Sequence, residues 1–278
     1  MKKLYLKGTP NKKQELFFSS KAKFTAYGGA RGGGKSWTVR CKSKLLCFRF
    51  PGIKVLIVRR TFAELTNNHI NPLRDELNGA AVYNTTEKMF RFPNGSTIKF
   101  GYCNADKDLD QYQGAEYDVI FLDEATQLQE MWMRKISACM RGANDFPKHT
   151  YYTMNPGGQG HAYVKRLFLD RKYEEGEDPD DYAFIQSLVT DNKVLMEKQP
   201  DYIKQLEALP EKFRKAWLEG DWNIFSGQFF EEFKREFHVC KPFEIPSDWR
   251  RYRAFDYGLD SFSVLWIAVN SLNECFVY

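Results

Sequence analysis

Three short segments of the chain carry residue types and spacings that could do phosphate chemistry. The first is Gly29-Ala30-Arg31-Gly32-Gly33-Gly34-Lys35-Ser36, which fits G-x-x-x-x-G-K-[ST]. Glycines let the backbone wrap a phosphate with its N–H groups, and a helix starting there adds the positive end of its dipole. In this pattern Lys35 reaches the β- and γ-phosphates and the Ser36 hydroxyl ligates Mg²⁺. A glycine-rich turn can match by accident, but here a strand precedes the segment and a helix follows it. The second segment is Val119-Ile120-Phe121-Leu122 running into Asp123-Glu124. A buried strand would deliver Asp123 to the C-terminal edge of a sheet, where it can hold the water shell of Mg²⁺. Glu124 can then polarise the attacking water as a general base. Acids commonly end strands in turns; paired with the upstream loop, these two point to ATP hydrolysis rather than nucleotide binding alone. The third segment is Thr153-Met154-Asn155-Pro156-Gly157-Gly158. Asn155 is suited to sensing the γ-phosphate and transmitting its loss, although Asn-Pro-Gly is also ideal β-turn chemistry.

Apolar runs alternating with helix-length segments must position these residues, and that alternation predicts a parallel α/β sheet. Phe24–Tyr27 reads as a strand, Ser36–Phe50 as a helix stopped by Pro51-Gly52, and Ile53–Val58 as a strand buried on both faces. Thr61–Leu77 reads as helical, and KMFRFPNGSTIKFGY alternates around Pro93-Asn94-Gly95 as a hairpin does. Val119–Leu122 and Thr150–Met154 read as further core strands. Asp170–Asp181 is an acidic, solvated loop, and Lys193–Glu219 reads as polar helix ending at Gly220. The fold class expected is α/β, a RecA- or ASCE-like P-loop NTPase with a mostly parallel sheet flanked by helices.

The bulk features narrow the class of protein. Of 278 residues, 43% are hydrophobic and 28% charged, which excludes collagenous, disordered and disulfide-stapled chains. Six cysteines lie far apart without C-x-x-C spacing, so a zinc site is not expected. The four histidines are equally scattered and read as ordinary surface or core residues. There is no apolar leader and no run of about 18 apolar residues, so a soluble, intracellular protein without membrane contact is expected. The net charge of +5 is unevenly spread: residues 1–60 hold sixteen Lys/Arg and one acid, Glu15. A basic end of this kind suggests a polyanion, either nucleotide phosphate or a nucleic-acid backbone.

Taken in order, GGARGGGKS, YQGAEYDVIFLDEATQL and TMNPGG resemble the large terminase subunit of tailed bacteriophages, the ATPase that packages DNA into procapsids. WLEGDWNIFSGQFFEEF (Trp217–Phe233) is similar to the family's junction between motor and nuclease. The resemblance implies an ATPase domain over residues 1–225, with a small helical lid at about 160–222. Residues 226–278 would then be a linker and the first strands of an RNase H-like nuclease. It implies that ATP and Mg²⁺ are the cofactors and that Gln14, in PNKKQELFF, reads adenine. Gly29, Arg31, Gly32, Gly33, Gly34, Lys35 and Ser36 would bind the phosphates, with Ser36 and Asp123 holding the metal. Thr153 and Asn155 would couple hydrolysis to movement.

Two arginines compete as the transition-state finger: Arg31 in cis, and Arg141, which matches a position that reaches a neighbouring subunit and is favoured. A surface salt bridge is the plain alternative for Arg141. Asp256 matches the first metal-binding carboxylate of the nuclease, with Asp260 a weaker neighbour. The remaining nuclease acids are absent, so no complete nuclease site is expected. The implied partners are double-stranded DNA, the portal protein, a small terminase subunit and further copies in a ring on the procapsid, within the host cytoplasm. A helicase-type RecA-like ATPase and a prophage-derived remnant of low turnover are the alternatives.

Overall fold

The computed structural model describes residues 8–224, 235–257 and 262–278. The chain divides into two compact units, Met1–Gly227 and Gln228–Tyr278. The boundary expected at 225/226, the part of the junction segment beyond residue 224, and Asp260 lie outside the described residues.

The first unit opens with α1 (Lys12–Ser19), β1 (Phe24–Gly29), α2 (Lys35–Arg49) and β2 (Lys54–Arg59). In β2 the apolar run serves two layers at once. Leu56 and Val58 enter one core cluster, while Val55 and Ile57 enter the other. Successive side chains of a strand point to opposite faces, so a strand covered on both sides must be apolar throughout. One cover is the helical segment α3 (Phe62–Leu65), the π-turn Thr66–Ile70 and α4 (Asn71–Leu77), which places Leu65, Ile70, Leu73 and Leu77 on the second cluster. The opposite cover includes Trp132, Met133 and Ile136 of α5 (Glu130–Ser137) and Tyr163 and Val164 of α6 (His161–Val164).

β3 (Val82–Asn84), β4 (Met89–Arg91), β5 (Thr97–Tyr102), β6 (Val119–Leu122), β7 (His149–Met154) and β8 (Tyr182–Ser187) complete an eight-stranded sheet of order β3-β4-β5-β2-β6-β7-β1-β8. The six strands from β5 to β8 in that order run parallel, and β3 and β4 add an antiparallel edge. This is the mixed, mostly parallel α/β sheet expected from the sequence, including the β4–β5 hairpin. The sequence reading does not anticipate β8, a half-buried edge strand whose apolar run Tyr182–Ile185 follows directly on the acidic loop. It pairs with β1, so the segment between residues 160 and 222 contributes a strand to the sheet before its helices α7 (Lys193–Lys198), α8 (Asp201–Glu207) and α9 (Glu211–Arg214). No helix of the described residues is long and apolar enough to cross a membrane.

The second unit contains β9 (Arg250–Tyr257), β10 (Phe262–Val269) and β11 (Cys275–Val277) in an antiparallel sheet of order β11-β10-β9. Phe243, Trp249 and Phe276 pack edge and face against one another within it.

Candidate active site

Because β1, β2, β6 and β7 are parallel neighbours, their C-terminal ends share one edge, where ligands of open α/β sheets bind. β1 ends at Gly29, β2 at Arg59, β6 one residue before Asp123, and β7 one residue before Asn155. The loop after β1 turns directly into α2, whose N-cap Gly34 has φ +74, a left-handed conformation that favours glycine. A side chain on Gly34 would also meet Gln14 Nε2 at 2.9 Å. Gln14 thus lies beside the loop, and its Oε1 accepts from Asn11 N at 2.9 Å in the capping box of α1.

Lys35 is buried, and its Nζ donates to Ala30 O and, at 2.7 Å, to Asn155 Oδ1. Asn155 Nδ2 donates onward to Glu124 Oε2 at 3.2 Å. Burial pushes the Lys35 ammonium below its usual range, against the opposing charges of Glu124 and Asp123. The loop lysine, the third motif and the second acid are therefore one chain of contacts. Glu124 itself stands at φ 57, ψ 46. A non-glycine residue held in the left-handed region stores local strain of a kind that clusters at functional sites. Its N–H donates to Thr153 Oγ1 at 3.1 Å.

Asp123 is 1% exposed and is the most heavily contacted group of the site. Its Oδ1 accepts from the Thr153 hydroxyl. Its Oδ2 accepts from Arg59 Nε at 2.6 Å and contacts His69 Nε2 at 2.7 Å, with the Ser36 hydroxyl at 3.5 Å. Burial alone would raise the Asp123 carboxyl, but Arg59 and His69 hold it well below the usual carboxylate range. Hydroxyl and carboxylate oxygens are the donors that hard Mg²⁺ takes, and Ser36 beside Asp123 at the start of α2 fits that ion. Ser36 opens onto a cleft of about 590 Å³, lined by the phosphate loop, Arg59, Glu124, Asn155 and Tyr202 of α8. That volume is within the range of ligand pockets.

The two arginines of the sequence reading part company. Arg31 borders the cleft, its N–H donates to Trp217 O at 2.9 Å, and its guanidinium stacks 3.4 Å from the centroid of the Trp217 ring. Arg141 is at the other end of β6. Its N–H donates to Tyr117 O, and its side chain is 54% exposed, 3.8 Å from Glu116 Oε1. From Tyr117 to Asp123 a strand covers about 20 Å at ~3.3 Å per residue, so Arg141 is remote from its own phosphate loop. In the second unit Asp256 is exposed on β9 and pairs in register with Ser263.

Sequence reasoning missed Arg59 and His69. Arg59 had a signal: a charge ending the apolar run Val55–Val58 at the same sheet edge as Asp123. His69 had none. It sits in the π-turn, where the extra residue per turn rotates it away from the register of an ordinary helix, and it is a core histidine whose Nε2 lies 2.7 Å from Asp123 Oδ2.

A family profile described as terminase large subunit, T4likevirus-type, N-terminal, matches residues 26–237. Among solved structures, the large terminase of a thermophilic bacteriophage is similar with a TM-score of 0.64 and 17% identity, covering 97% of this chain and 69% of that one. The ATPase domain of the Thermus phage P74-26 large terminase is similar with a TM-score of 0.56 and 15% identity, covering 78% of this chain and 95% of that one. The HK97 bacteriophage large terminase is similar with a TM-score of 0.56 and 12% identity, covering 98% of this chain and 63% of that one. These likenesses concern the fold. A search of curated proteins gave no match. The profile spans well over half of the sequence, and on that ground the chain belongs to the terminase large-subunit family, T4likevirus-type, and carries its N-terminal domain.

Proposed function

We propose that this chain hydrolyses ATP and uses the energy to move double-stranded viral DNA into a procapsid. The observation that carries the reading is the continuous contact from Lys35 through Asn155 to Glu124, at the sheet edge that also bears Asp123. In a site so linked, loss of the γ-phosphate changes the partner of Lys35 and hence the hold on Asn155 and Thr153. The large terminase of the thermophilic bacteriophage, similar in fold, has been solved in complex with ADP, which supports nucleotide binding by this chain.

Each residue has a stated task in this proposal. Gly29, Arg31, Gly32, Gly33, Gly34 and Lys35 hold phosphates, and Gln14 reads the adenine. A magnesium ion bound with the nucleotide would be held by Ser36 and, through water, by Asp123, and would neutralise phosphate charge. Glu124 takes a proton from the attacking water. Arg141 serves the site of a neighbouring copy in a ring, and Arg31, stacked on Trp217, links the phosphate loop to the lid. DNA contact is mainly to backbone phosphates and hence salt-dependent. The portal protein and a small terminase subunit are the proposed partners at the procapsid, in the host cytoplasm. Asp256 is assigned as a metal-binding carboxylate of an RNase H-like nuclease unit, whose two-metal chemistry needs further acids.

The test is ATP hydrolysis with and without linear double-stranded DNA, beside a strand-displacement assay on the same DNA. The expected result is hydrolysis stimulated by DNA, suppressed by added salt, with no strands separated. Absence of stimulation would favour a remnant of low turnover, and displaced strands would favour a helicase.

A further inference from the structure

The π-turn Thr66–Ile70 interrupts the helical cover of the sheet beside the site, and its contact with Asp123 has no place in the roles above. His69 is 0% exposed, and its Nε2 lies 2.7 Å from Asp123 Oδ2. Its Nδ1 is buried and has no hydrogen-bond partner among the described residues. Resting on the ATPase reading, we propose that His69 is a positioning residue: its Nε2–H fixes the rotation of the Asp123 carboxylate that the metal site needs.

Four observations converge on this. A histidine kept only for packing would satisfy both ring nitrogens or give way to an aliphatic side chain; this one leaves an acceptor stranded, a cost that a leucine would avoid. The arrangement assigns the tautomer, because Asp123 can only accept and the proton must therefore sit on Nε2. Three donors from three different elements, Thr153 on β7, Arg59 on β2 and His69 on the π-turn, pin one carboxylate from three directions. Finally, π-turns inside helices recur at functional sites, and the Asn71 N–H bond to Thr66 O is what swings His69 toward β6. Partners that orient a metal-binding carboxylate matter almost as much as the ligand itself.

The test uses the full chain and reads ADP binding by calorimetry, with Mg²⁺ and with a chelator. His69→Leu is expected to weaken the Mg²⁺-dependent part of ADP affinity about 10- to 100-fold while chelator-state affinity stays the same. His69→Gln, which keeps an N–H donor near the Nε2 position, should restore most of the loss. Nitrogen-15 spectra of the wild-type imidazoles should show a neutral Nε2–H ring for His69, a readout that needs no variant. The inference is overturned by a folded His69→Leu protein with unchanged Mg²⁺ dependence, by equal losses with and without Mg²⁺, by failure of His69→Gln to rescue, or by an Nδ1–H ring. A wild type that binds no nucleotide would remove the ATPase reading and this inference with it; a binding wild type beside an indifferent His69→Leu removes this inference alone.

Discussion

Arginine chemistry is divided among three positions that do different things. Arg59 is buried against both acids, 2.6 Å from Asp123 and 3.6 Å from Glu124 Oε1. Arg31 is held at the mouth of the cleft by Trp217. Arg141 is exposed and paired with Glu116, and exposed pairs of this kind contribute little to stability. Its removal should therefore change stability by less than about 0.5 kcal/mol. If it acts on a neighbour, its loss should be felt in trans. Subunits carrying Arg141→Ala have an intact phosphate loop, and subunits carrying Lys35→Ala have an intact arginine. Mixing the two should restore hydrolysis that neither shows alone, because mixed rings join a sound site to a sound arginine. A mixture as inactive as its parts would refute the trans role. The gain at stake is large, since an arginine finger can contribute about 10³- to 10⁵-fold in rate.

At the scale of elements, β6 matters because it carries Asp123 while being only four residues long. Phe121 anchors it by stacking on Tyr151 of β7, with ring centroids 5.0 Å apart. Phe121→Ala should cost about 3–5 kcal/mol, read as a lower urea midpoint, because the surrounding helices cannot collapse fully into the space left. A midpoint within experimental scatter of the wild type would show that β6 is not fixed by this core. The same elements show what the sequence could reveal. β2 and β6 were legible because burial on two faces leaves an unbroken apolar run, and the phosphate loop because its glycines serve the backbone locally. β8 was passed over although Tyr182–Ile185 is an apolar run as long as that of β6, because it follows the acidic stretch 170–181 and leads into polar helical sequence rather than into a motif. The π-turn was not legible: residues 66–70 have the composition of any polar helix turn. His69 was missed for that reason, while Lys35, Asp123, Glu124 and Asn155, which the structure brings to one sheet edge, each stand in a motif of local spacing.

Across the whole molecule, the basic start of the chain is partly consumed inside the fold. Arg40 and Lys44 both pair with Glu76, Arg59 with Asp123, and Lys42 donates to Phe18 O. Lys35 faces Asn155 in the cleft. Lys12, Lys21, Lys23, Arg49 and Lys54 remain exposed and available to a polyanion, although Lys23 lies 3.5 Å from Asp181. Lys2, Lys3 and Lys7 are outside the described residues. Arg40, Lys42, Lys44, Arg59 and Lys35 thus serve the core and the cleft, while a comparable number of the sixteen cations lies at the surface. In the proposed function, a phosphate loop, two acids and an asparagine at one sheet edge form an ATP-hydrolysing centre. Single-turnover hydrolysis of ATP by Glu124→Gln is the decisive experiment, because the substitution keeps the size and the Asn155 contact but removes the base. The expected result is ATP binding as tight as that of the wild type with hydrolysis slowed at least about 100-fold, the scale of general-base catalysis. A Glu124→Gln chain that turns over ATP at the wild-type rate would contradict it.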